Sequence, residues 1–126
     1  MNSIKVSILV PAFNVEEYID DCLQSLMHQT LKEIEVIVVD DGSTDKTGKI
    51  AEKYAALDKR FHVVHQSHQG VATARNVCLS LAKGKYIGFV DSDDYISENG
   101  IEELFLCAET HLADIVLGSI LHLSLI

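Results

Sequence analysis

Short apolar runs alternate with longer amphipathic stretches along the whole chain. Strands are predicted at Lys5–Val10, Glu35–Val39, Phe61–His65, Lys85–Val90 and Asp114–Leu121. These runs are nearly continuous in Val, Ile and Leu, the pattern of strands buried on both faces. Between them, apolar residues recur at helical spacing. The stripes are Ile19, Cys22, Leu23 and Leu26; Ile50, Ala51, Tyr54 and Leu57; Ala74, Cys78, Leu81 and Ala82; and Ile101, Leu104, Phe105, Ala108 and Leu112. Asn14 followed by Glu17 predicts a capping box for the first helix. Asp45 and Ser97 are predicted caps for the second and fourth helices. Gly84 is the predicted C-terminal stop of the third. Alternation of this kind predicts a three-layer α/β/α domain with a mostly parallel sheet, spanning residues 1–126 as one unit.

Three of the strands end in polar residues. Val6–Val10 runs into Pro11-Ala12-Phe13-Asn14, and Glu35–Val39 into Asp40-Asp41-Gly42-Ser43-Thr44-Asp45. Tyr86-Ile87-Gly88-Phe89-Val90 ends in Asp91-Ser92-Asp93-Asp94, three carboxylates within four positions. Crowded carboxylates resist joint ionisation unless a cation holds them, so a divalent metal carrying a phosphate is expected there. In open α/β sheets ligands bind outside the carboxyl ends of the strands, so the three ends describe one site.

Composition narrows the partners. With 126 residues, 48% of them hydrophobic and 23% charged, the chain has the make-up of an ordinary globular domain. A net charge of −9 argues against a nucleic-acid partner, which needs a basic face. The cysteines, Cys22, Cys78 and Cys107, are odd in number and all sit on predicted apolar stripes. They read as reduced core residues of a cytoplasmic protein. No stretch reaches the ~20 apolar residues needed to cross a membrane. His65 and His68 lack the geometry expected of a zinc pair. Tyr18, Tyr54, Tyr86 and Tyr95 read as packing residues.

Taken together, Pro11-Ala12-Phe13-Asn14, Asp40-Asp41-Gly42-Ser43, Ala74-Arg75-Asn76, Gly84-Lys85-Tyr86-Ile87 and Asp91-Ser92-Asp93-Asp94 resemble the family-2 inverting glycosyltransferases. The resemblance runs from about Ser3 to Ile120 and implies a GT-A fold with a nucleotide-sugar half. By position, it implies that Asp41 recognises the nucleotide base, with Phe13, Pro11 and Ala12 as the wall against base or ribose. It implies Asp91 for ribose or sugar hydroxyls and Asp93 for magnesium or manganese. Arg75 is a candidate for the diphosphate, with a surface ion pair as its other reading. Asp40 and Asp45 read as structural, and Asp94 as either a supporting residue or the start of the next loop. The implied donor is a UDP-sugar, and the implied acceptor a saccharide or lipid-linked saccharide. The implied setting is polysaccharide synthesis for the cell envelope, at the inner face of the membrane.

Two other readings fit parts of the pattern. A haloacid-dehalogenase-like phosphotransferase also ends a strand in Asp-x-Asp, but near the N-terminus and with a downstream lysine that has no counterpart here. A receiver-like domain, or a non-catalytic nucleotide-binding remnant, would also gather acids at strand ends. No motif supplies a catalytic base, which is expected beyond Ile126 together with the acceptor half. The apolar stretch Ile115 to Ile126 is then expected to lie exposed and to promote self-association.

Overall fold

The structure is a computed structural model that describes residues 3–111, 115–117 and 122–125. Its elements follow in the order β1 (Val6–Ala12), α1 (Ile19–Met27), β2 (Ile34–Asp40), α2 (Thr47–Leu57), β3 (Phe61–His65), α3 (Val71–Leu81), β4 (Tyr86–Phe89), α4 (Gly100–His111), β5 (Ile115–Leu117) and β6 (His122–Leu125). The sheet order is β3-β2-β1-β4-β6-β5. β1, β2, β3 and β4 are parallel, whereas β6 runs antiparallel to both β4 and β5.

The strand period of two sorts side chains onto two faces. Val6, Ile8, Val10, Val36 and Val38 join Ile19, Leu23, Leu26, Tyr54, Ile101 and Phe105 in the larger core. Leu9, Ile37 and Val39 point the other way, against Ala74 and Cys78 of α3. α1, α2 and α4 thus cover one face and α3 the other, which is the expected three-layer arrangement. After β3 the chain returns to the opposite side of β1 to form β4. The order therefore reverses between β1 and β4, where α/β sheets open a crevice. Ala12 pairs with Asp40 and Leu9 with Phe89, so the ends of β1, β2 and β4 lie side by side.

Several local expectations change. α1 begins at Ile19 without a side-chain cap. Asn14 instead has φ 49° and turns its side chain to the neighbouring loop. Asp45 does serve α2, accepting the Thr47 N–H at 2.9 Å. α4 begins at Gly100, and Ser97 offers only its main-chain carbonyl, to the Gly100 N–H. Leu57 and Leu81, at the last positions of their helices, are exposed rather than packed on the core. Cys107 is exposed as well, while Cys22 and Cys78 are buried free thiols. Tyr18 and Tyr95 are exposed and do not pack, unlike Tyr54 and Tyr86.

Gly84 is not a helix stop. A Cβ there would meet the Ser7 amide at 2.7 Å, and the Gly84 N–H donates to Ser7 Oγ at 2.8 Å. The Ser7 hydroxyl in turn donates to the buried Glu35 at 2.6 Å. The predicted fifth strand is shorter, at Ile115–Leu117. The C-terminal stretch does not hang off the sheet: 122–125 is paired on both sides, between β4 and β5. Leu112, Asp114 and residues 118–121 lie outside the described residues.

One buried side chain ties the core to the loop after β4. Gln29 donates to the carbonyls of Ser25 (3.1 Å) and Ser97 (2.7 Å) and accepts from the Ile101 N–H (3.1 Å). It therefore locks the end of α1 to both the approach and the first turn of α4.

Candidate functional site

The loops after β1 and β2 are laced together by their own polar residues. Ser43 Oγ accepts the Asn14 N–H, Asn14 Oδ1 accepts the Thr44 N–H, and Thr47 Oγ1 accepts the Val15 N–H, all within 3.0 Å. Asp40 is structural, accepting the Ser43 N–H and the His65 Nδ1–H. His65 also donates towards Glu52 at 3.2 Å, and the Asp40 and Glu52 bonds raise its pKa against the opposing effect of burial.

Asp41 lies at the floor of this junction and is buried. Its Oδ1 accepts from Gln66 Nε2 and the Gln69 N–H, both at 2.8 Å, and its Oδ2 from the Gly70 N–H at 3.0 Å. Burial works against its charge, but these bonds outweigh it and hold the carboxyl below the usual aspartate range. Gly42 has φ 76°, and a Cβ there would lie 2.6 Å from the His68 amide. A glycine is thus required for the 66–70 loop to lie against the β2 turn. Pro11, Ala12, Phe13 and Asp41 line one cleft of about 170 Å³, completed by His68, Val71 and Ala74. Phe13 stacks on the His68 ring at 4.2 Å.

The acid turn is built from β4. The Val90 N–H continues the β1 ladder to Leu9 O, and the Asp94 N–H closes back on Asp91 O at 3.0 Å. The buried Cys22 thiol contacts the same Asp91 carbonyl at 3.6 Å. Burial, then the charges of Asp94, Asp93 and Asp91, push that thiol up to about 12, so it stays protonated as a donor. This turn brings one carboxylate oxygen from each of Asp91, Asp93 and Asp94 within 4.8 Å of one another. Among the described residues it is the one acidic or histidine cluster of that tightness. The pKa of Asp94 is raised, first by burial and then by Asp93 and Asp91. A tight set of hard oxygen donors, one of which resists ionising beside the others, fits magnesium or manganese.

Pro11, Ala12, Phe13 and Asp41 are therefore brought together, and Asp91 and Asp93 sit together with Asp94 at the neighbouring strand end. Arg75 does not line the cleft. It lies over the Phe89 ring at 5.4 Å, beside the strand that leads to the acids. The structure places Asp94 in the same group as Asp91 and Asp93, and sets Gln66 and His68 around Asp41, which the sequence pattern did not indicate. The available signal was the charge-poor segment Gln66-Ser67-His68-Gln69-Gly70, set between a strand and a helix and ending in glycine.

This arrangement of layers, strand order and strand-end acids defines the class as an α/β domain of the GT-A type. Comparison with known proteins takes the assignment one step further. The chain belongs to glycosyl transferase family 2, whose family model matches residues 7–124. It is 50% identical over 111 residues to the uncharacterized glycosyltransferase EpsJ of Bacillus subtilis, covering 88% of this chain and 32% of that protein. The crystal structure of S. aureus TarS 1–349 in complex with UDP-GlcNAc is 38% identical, with a TM-score of 0.80. The match covers 90% of this chain and 33% of that one. The mannosyltransferase PcManGT of Pyrobaculum calidifontis, solved with GDP-Man and Mn²⁺, is 26% identical, with a TM-score of 0.65. That match covers 75% of this chain and 29% of that one. The chain thus spans about a third of the length of EpsJ and of these two solved chains. A haloacid-dehalogenase-like reading is not favoured, since the Asp-x-Asp follows the fourth strand of a family-2 domain.

Proposed function

We propose that this chain binds the nucleotide-sugar donor of a glycosyltransferase, a UDP-sugar, with a divalent cation. The sugar passes with inversion to a saccharide or lipid-linked acceptor in polysaccharide synthesis. The observation that carries the reading is the pairing of a carboxylate-floored aromatic cleft with an acid trio, both at the carboxyl ends of adjacent parallel strands. Phe13 offers a face to a planar base, and Asp41 an ionised acceptor for the ring N–H of uracil. Asp93, with Asp91 and Asp94, would hold magnesium or manganese. When bound, that cation supplies charge neutralisation for the leaving diphosphate. Asp91 also offers an acceptor to ribose or sugar hydroxyls. Arg75, over the Phe89 ring beside the strand that leads to the acids, is the cation we assign to the diphosphate. An inverting displacement needs a general base on the acceptor, and none of the residues assembled here takes that role.

TarS was solved with UDP-GlcNAc and PcManGT with GDP-Man, so the base is an open choice within the fold. The test is a thermal-shift panel of UDP, GDP and ADP, each with and without manganese. UDP with manganese is expected to stabilise most, and the gain should grow with ligand concentration. Asp93→Asn should abolish the manganese-dependent part. Equal shifts for the three diphosphates would overturn the role of Asp41.

A further inference from the structure

The Asp41 carboxylate has room for one more donor, and His68 faces it. A carboxylate offers about four lone-pair sites. Two on Oδ1 are taken by Gln66 and Gln69, and one on Oδ2 by Gly70. His68 Nδ1 lies 3.0 Å from Oδ2 and bonds the Asp41 main-chain carbonyl at 3.2 Å. Its ring is stacked on Phe13 with an interplanar angle of 26°. An aromatic ring resting on Phe13, with a ring N–H aimed at Asp41, presents the two features a pyrimidine base would present there.

We infer that His68 stands in for the nucleobase in the nucleotide-free protein and must swing aside when the nucleotide enters, so that it sets the affinity of the site. The inference rests on the uridine reading above. The backbone of His68 is fixed, because its neighbours Gln69 and Gly70 donate to Asp41 and its own amide abuts Gly42. Its side chain is 58% exposed, so rotation outward gives up only the stack and the N–H contact. The acceptor it vacates is the one the base needs. Cleft and gate are thus closed by the same pair of interactions that binding would re-form.

The experiment is calorimetric titration of UDP with manganese into the wild-type chain and His68→Ala. NMR of the wild-type histidine ring accompanies it, so that the outcome does not hang on the variant's folding. Replacing a competing stack and hydrogen bond should tighten UDP by about five-fold. In the wild type, the His68 ring protons should begin shielded by Phe13 and shift as UDP saturates. Unchanged or weaker affinity in His68→Ala overturns the inference. So does saturation with UDP that leaves the His68 resonance where it was, and in that case the uridine reading stands. If UDP binds neither protein, both readings fall together, whereas binding to His68→Ala alone supports the gate in its strongest form.

Discussion

Asp41→Asn should destabilise the protein at neutral pH and leave it nearly unaffected in acid. The carboxylate accepts three hydrogen bonds in a buried site, and an amide has only one oxygen. Placing that oxygen at Oδ1 keeps the Gln66 and Gln69 bonds but sets an NH₂ group against the Gly70 N–H. The lost charge-assisted bond costs about 2 kcal/mol, and weakening the other two to neutral strength about 1 more. Relief from burying a charge returns about 1 kcal/mol. The net loss is about 2 kcal/mol, or about 8 °C in Tm for a chain of this size. The pH dependence carries the argument. The folded carboxyl titrates below its unfolded value of about 3.9. Its contribution is therefore complete above that value and disappears as pH falls through the folded pKa. Urea denaturation of both proteins, repeated from pH 7 to pH 3, measures the difference. A gap under about 0.5 kcal/mol at pH 7 would refute the reasoning, as would a gap that persists undiminished in acid.

Two further variants probe the loop after β4 and its anchor. Asp94→Asn should raise Tm in the presence of EDTA at pH 7, because the folded site disfavours the charged form, and the gain should shrink as pH falls and the wild-type carboxyl protonates. The same variant should gain less from manganese than the wild type, as Tm with and without the ion will show. Gln29→Leu keeps bulk but leaves the Ile101 N–H unpaired and should cost about 3 kcal/mol by urea denaturation. It should also reduce the manganese-dependent shift, since Gln29 anchors the far end of the acid-bearing segment through Ser97.

The architecture was legible because strand burial is written as continuous runs of Val, Ile and Leu, and helix faces as spaced stripes. The strand-end acids were legible because nothing in folding rewards Asp91, Asp93 and Asp94 side by side. What failed was local chemistry decided by distant partners. Asn14 has the sequence of a cap, yet it bonds Thr44, thirty positions away, and cannot also face its own helix. Gly84 reads as a helix stop, but what demands a glycine is the backbone of Ser7 in β1. His68 carried no mark of its position over Phe13, which depends on how the loops after β1 and β3 meet. The strand at 122–125 did carry a signal. Leu121-His122-Leu123-Ser124-Leu125 alternates strictly, the pattern of a strand, but alternation says nothing about which neighbour is chosen or in which direction.

The insertion of β6 between β4 and β5 has a consequence for synthesis. On a ribosome adding roughly 5–20 residues per second, β1 to β4 are complete once Phe89 has emerged, and β2, β3 and β4 each pair with a strand made before them. β5 has no such partner. Its ladder is with β6, which is made later, so for that interval one edge of β4 and the whole of β5 present open backbone in the same nascent chain. Should β5 settle directly against β4, β6 would have to displace it. The nascent domain is therefore most vulnerable to mispairing with a neighbouring polypeptide after the strand ends of β1, β2 and β4 are already in place.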